Sequence, residues 1–162
     1  MDYKGHDSVE ELSALLKDES PRCLVIVSAA FFDETLGVLL GDTRERSFHA
    51  KIEDAREFAL LTLNEHRDLH ELRQLRNSFA HDLRARSFDA TTIQRIERLE
   101  TWKTASAQIR QYLALFPTAQ ERLLYVVGII AFRLQHRTRA TTRTGALDEP
   151  PLTDIGSWPP VT

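Results

Sequence analysis

The chain is expected to fold as an all-α, single-domain bundle of about six or seven helices, and three observations carry that expectation. Apolar residues recur at three- and four-residue spacing, as in Leu69, Leu72, Leu75, Phe79 and Leu83, which is the period of a helix with one buried side. Residues that open or close helices, among them Pro21, Gly41, Asp89 and Pro117, stand where those runs begin and end. No segment reads as a convincing strand, although Leu24-Val25-Ile26-Val27 has strand propensity; the long apolar run continuing through Ser28-Ala29-Ala30 favours a helix there.

Each element has its local reason. Ser8 and Glu11 have capping-box spacing ahead of Leu12, Leu15 and Leu16, which gives a first helix of about ten residues. Pro21 suits the first turn of a second helix that runs to Leu40 and is closed by Gly41-Asp42. That helix is apolar around most of its circumference, so other helices should surround it. A third helix from Ala50 to Leu61 carries Ile52, Ala55, Phe58 and Ala59, and a very short link joins it to a fourth that begins near Asn64. Phe88-Asp89 reads as a loop entering an Asp89 N-cap, followed by one helix through Ile93, Ile96, Leu99 and Trp102. Pro117-Thr118 opens the last strong helix, with Leu123, Leu124, Val127, Ile130, Ala131 and Leu134 toward the core. Arg133, Arg137, Arg139 and Arg143 then form a basic, solvated helix end. The helical domain is expected over residues 1–139, with an irregular tail over 140–162 that includes Pro150-Pro151 and Pro159-Pro160.

Composition narrows the function classes. The length suits one core, and 42% apolar with 28% charged residues is the balance of an ordinary globular chain. A net charge of −3 supplies no general attraction to duplex nucleic acid, so sequence-specific DNA binding is not expected and any RNA contact must be local. Cys23 is the single cysteine and lies in an apolar run, consistent with a small buried thiol in a reducing compartment. The chain opens with no charged-then-apolar signal peptide, and Asp33 and Glu34 interrupt its longest apolar run, so a cytoplasmic protein without membrane contact is expected.

The run Arg76-Asn77-Ser78-Phe79-Ala80-His81 carries the chemistry. On a helical projection, His66, His70, Arg73, Asn77, His81 and Arg84 oppose the leucine face, while Arg76 falls between Leu69 and Leu83. A guanidinium there needs a partner or an interface, and Asp33 and Glu34, the acids of the apolar second helix, are the expected ion-pair partners. Arg76, Asn77 and His81 can also be read as catalytic. His81 would move protons, Arg76 would neutralise charge developing on a phosphate, and Asn77 would orient either, with Asp33, Glu34 and Arg73 in support. Asn77 and His81 share a side of an ideal helix, whereas Arg76 projects roughly 140° from His81. The site would therefore form through a bend near Phe79 or across a symmetric dimer. His66 and His70 have the i, i+4 spacing of two metal ligands, but no HExxH motif or cysteine pair accompanies them. They read as solvated helix residues, His49 and His136 have no motif around them, and neither metal nor cofactor is expected.

Three separated segments resemble the mannitol operon repressor family, the MltR-like proteins. They are Val27-Ser28-Ala29-Ala30-Phe31-Phe32-Asp33-Glu34-Thr35-Leu36, the Ala50-Lys51-Ile52 run, and Arg73-Gln74-Leu75-Arg76-Asn77-Ser78-Phe79-Ala80-His81 followed by Phe88-Asp89. The likeness covers residues 20–135. It implies an all-helical, self-associating protein of the bacterial cytoplasm, attached to negative control of a sugar operon. That family is similar to the HEPN superfamily, whose motif of Arg, a polar residue, a few variable residues and His is matched by Arg76, Asn77 and His81. Active HEPN proteins cleave single-stranded RNA without a metal at a dimer cleft, often paired with a nucleotidyltransferase-like antitoxin. No DNA-reading element accompanies the resemblance, so repression would act through a protein partner or RNA. The leading expectation is a homodimeric regulatory or interaction protein. A metal-independent ribonuclease is the alternative, and direct operator binding comes third.

Overall fold

The computed structural model describes residues 9–41, 45–82, 86–108 and 115–144, which form seven helices and no strand. They are α1 (Val9–Leu16), α2 (Pro21–Leu40), α3 (Phe48–Glu57), α4 (Leu63–His81), α5 (Ala90–Glu97), α6 (Glu100–Gln108) and α7 (Ala119–Thr144). The all-α bundle expected from the periodicity is what the chain adopts.

Local chemistry sets most boundaries. Ser20 caps α2 by accepting from the Cys23 N–H, Pro21 fills its first position, and Gly41 closes it in the left-handed region at φ 61°. Ser47 caps α3, which begins and ends earlier than the spacing predicts because Ala59 turns left-handed at φ 55° and the Leu60 N–H bonds back to the Ala55 carbonyl. Thr62 and Glu65 form a capping box at the start of α4, with the Thr62 N–H donating to Glu65 Oε2 over 2.9 Å. Asp89 caps α5 by accepting from the Thr92 N–H at 2.7 Å. Thr118 and Glu121 bond reciprocally at the start of α7. Ser8, expected to cap the first helix, lies outside the described residues.

α2 is the central element, packed on α3, α4 and α7, with Leu24, Val25, Ala29, Phe32, Leu36 and Leu39 buried. It is long and apolar enough to cross a bilayer, yet the same apolarity serves a helix with neighbours on three sides. α7 runs the length of the bundle, about 39 Å at 1.5 Å per residue, and meets α1, α2, α5 and α6. Its buried Leu123, Val126, Val127, Ile130, Ala131 and Leu134 make one core with Leu69, Leu72, Leu75 and Phe79 of α4. Trp102, Phe116 and Tyr125 pack mutually edge-on or tilted where α6 meets α7, and the Arg122 guanidinium sits 5.6 Å over the Trp102 ring.

Two expectations change. The single helix through Ile93, Ile96, Leu99 and Trp102 is broken at Arg98 and Leu99 into α5 and α6. The cause lies on another element: the buried Asp68 carboxylate of α4 accepts from the Glu100 and Thr101 N–H groups at 2.6 and 2.8 Å and so caps α6 from across the bundle. At the other end, α7 continues to Thr144, past the boundary at 139, and Arg137 is not part of a solvated basic end. It is 5% exposed and grips the fully buried Glu65 with two hydrogen bonds of 2.8 and 3.1 Å, with Arg133 at 3.7 Å.

Candidate functional site

α4 carries His66, His70, Arg73, Arg76, Asn77 and His81, while Arg84 and Leu83 lie outside the described residues. Its core side is held by Leu69, Leu72, Leu75 and Phe79, all buried as the spacing requires. Arg76 lies at the edge of that buried arc, and its long side chain turns outward. It is exposed, and Nη1 donates to Asn77 Oδ1 at 3.1 Å. The expected ion pair with Asp33 or Glu34 is not formed. Asp33 instead takes Lys51, whose Nζ lies 2.7 Å from Oδ1 and also donates to the Asp33 carbonyl at 3.0 Å. Lys51 reaches it alongside Gly37, where a Cβ would stand in ordinary van der Waals contact with the ammonium. Glu34 is exposed on α2, and Arg73 is half-buried, its Nε without a hydrogen-bond partner among the described residues.

Asn77 is half-buried, while His81 is exposed in the last turn of α4. The structure therefore brings Arg76 and Asn77 together and leaves His81 one turn further on at the helix end. In that position all three polar groups can meet a partner or ligand.

The buried acids among the described residues are Glu65 and Asp68, which the residue pattern did not single out. Their signal was available: Glu65 follows Thr62 at capping-box spacing, and both acids fall on the helix side of Leu69 and Leu72, the same misfit that drew attention to Arg76. Burial pushes the Asp68 carboxyl above its usual range, against the hydrogen bonds from Thr101 and Glu100 that pull it down.

Where α3 lies on α4, a second polar group forms. His66 and His70 of α4 meet Glu53 and His49 of α3, each pair four residues apart on its helix. Glu53 Oε1 lies 3.1 Å from His66 Nε2 and 2.6 Å from His70 Nε2, and the two imidazole nitrogens are 3.2 Å apart. The His70 ring centroid is 4.6 Å from that of His66 and 5.3 Å from that of His49. The two histidines hold the Glu53 carboxyl below its ordinary value through their hydrogen bonds. Burial pushes the His70 imidazole below its own, with Glu53 pulling the other way. His66 and His70 are thus not merely solvated, and His49 does have neighbours. The sequence signal was the doubled i, i+4 spacing on two helices joined by a short link.

Beside these histidines a groove of about 550 Å³ opens between α4 and the α5–α6 junction, lined by Arg67, Asp68, Glu71, Arg95, Arg98 and Lys103 among others. Arg95 is paired there with Glu71 and Gln74. Cys23 is half-buried, and burial raises its thiol above the usual value, with the Glu19 carboxylate acting in the same sense, so it is no activated nucleophile. Comparisons of the chain with protein-family models, with curated proteins and with solved structures find no match.

Proposed function

We propose that this chain is a helical regulatory protein, acting by self-association and contact with a protein partner in the bacterial cytoplasm. In this reading it is a negative regulator of the kind its MltR-like segments suggest, controlling a sugar operon without reading DNA itself. The observation that supports it is the exposure of Arg76 and His81 at the end of α4, with the half-buried Asn77 beside them. Side chains that the fold does not use for its own core are available to a second copy or a partner, and Arg is favoured at such contacts. The acidic net charge argues against operator binding by the chain alone. The test is the association state of the full chain by sedimentation, with Arg76→Glu as the variant. A wild-type dimer that the substitution dissociates while the helical signal stays unchanged supports the reading. A wild-type monomer, or a dimer indifferent to Arg76, rules out self-association through this surface.

A second reading has its own support. The exposed guanidinium of Arg76, hydrogen-bonded to Asn77, and the exposed imidazole of His81 are the groups a metal-independent ribonuclease would present to a phosphodiester. In that reading His81 moves the proton of the 2′-hydroxyl or of the leaving oxygen, and two copies supply the cleft. Cleavage of single-stranded RNA in EDTA by wild type, lost in a folded His81→Ala variant, would establish it. Absence of cleavage by both returns the motif to partner contact.

A further inference from the structure

We infer that His66, His70 and Glu53, with His49 as fourth donor, form a binding site for a divalent transition ion of the zinc class, joining α3 to α4. The ligand types are those such an ion selects: imidazole nitrogens and one carboxylate oxygen, with no thiolate to divert the site toward softer ions. The geometry is specific. Glu53 Oε1, His66 Nε2 and His70 Nε2 form a triangle with sides of 2.6, 3.1 and 3.2 Å. A point about 2.0–2.1 Å from all three atoms exists just above that triangle, and this is the Zn–N and Zn–O bonding distance. His49, Glu53 and His70 each place a donor atom within 4.8 Å of the others, and a rotation of the exposed His49 side chain would bring it to the fourth position.

Hydrogen bonding alone is a poor account of the cluster. The nearly equilateral triangle prevents two N–H donors from each following a lone-pair direction of the same oxygen, and it puts the two ring nitrogens face to face. One cation replaces these competing contacts with three bonds directed at a single point. The scaffold is also suited to it: the donors sit on two helices rather than on loops, in i, i+4 pairs that hold each pair on one side. The ion would then tie together two helices that the chain connects only through the short turn around Ala59 and Leu60.

The inference does not rest on the proposed function, since self-association or RNA cleavage could each fail with the ion site intact. The test is titration of the metal-free full chain with Co²⁺, read by its visible ligand-field bands, followed by displacement with Zn²⁺, in wild type and in His70→Ala. Expected are one ion per chain, tetrahedral-type bands, their loss on adding Zn²⁺, and at least about a tenfold weaker binding in the variant. His49→Ala, at an exposed position, carries the same comparison should His70→Ala fail to fold. Absence of saturable bands in wild type, or an affinity unchanged in both variants, overturns the proposal, the latter placing any bound ion at other residues.

Discussion

The two halves of α4 use their polar residues in opposite ways. In the first half, Glu65 is closed by Arg137, Asp68 caps α6, and His66 and His70 converge on Glu53. In the second half, Arg76 bonds to its neighbour Asn77 and to no other of the described residues, and His81 stands exposed at the helix end. The difference lies in cover. Near its start the helix has α3 on one side and α6 and α7 on others, so any polar group there must find a partner, whereas a group at the edge of a helix end can turn to water. A motif conspicuous in the sequence is therefore not the one holding the fold, and the residues that hold it are ordinary acids.

That contrast can be broken by substitution. Glu65→Ala has the largest expected effect: it leaves Arg137 buried without its carboxylate and should cost about 3–5 kcal/mol, measured by urea unfolding. Asp68→Ala should cost about 2 kcal/mol, since two N–H groups at the start of α6 lose their acceptor. Asp68→Asn sharpens this one. Because the folded carboxyl is raised, its stabilising contribution is fully present below the ordinary carboxylate range and is lost as pH rises through the raised folded value. The stability of wild type relative to Asp68→Asn should thus grow as pH falls from 7 toward that range, and a flat difference would count against the burial argument.

Smaller effects test the other side. Ala59 is a non-glycine residue in the left-handed region, so Ala59→Gly should stabilise by about 0.5–1 kcal/mol, read as a rise in the unfolding midpoint. Arg76→Ala should shift monomer stability by less than about 0.5 kcal/mol. A loss comparable to that of Glu65→Ala would mean that the exposed end of α4 is structural after all.

Much of the fold was legible because its causes are local. Leu69, Leu72, Leu75 and Phe79 are buried where a period of 3.6 places them, and Pro21, Gly41 and Asp89 mark helix ends through their own backbone chemistry. What the pattern missed depends on distant partners. Asp68 and Glu100 are 32 residues apart, and Glu65 and Arg137 are 72 apart, so neither the α5–α6 break nor the burial of Arg137 has a local trace. The histidine group is intermediate: the spacing of His66 and His70 was visible, but its meaning waited on α3 bringing Glu53 and His49 against them. Arg76 departs from its projected place because a helical wheel assumes equal cover along the whole helix, and the end of α4 lets its side chain reach water.

The order of α2 and α7 along the chain carries a consequence for biosynthesis. α2, the most apolar of the described helices, leaves the ribosome before α3 to α6, while the helix that covers its flank is the last of the described elements to be made. At about 5–20 residues per second, α2 waits on the order of 5–20 s for that cover. During this interval the nascent chain presents a long, greasy helix to chaperones and to any membrane-targeting machinery that recognises such segments. Translation across the second half of the message therefore sets how long the α7 flank of α2 stays uncovered, while α3 and α4 are already there to cover its other sides.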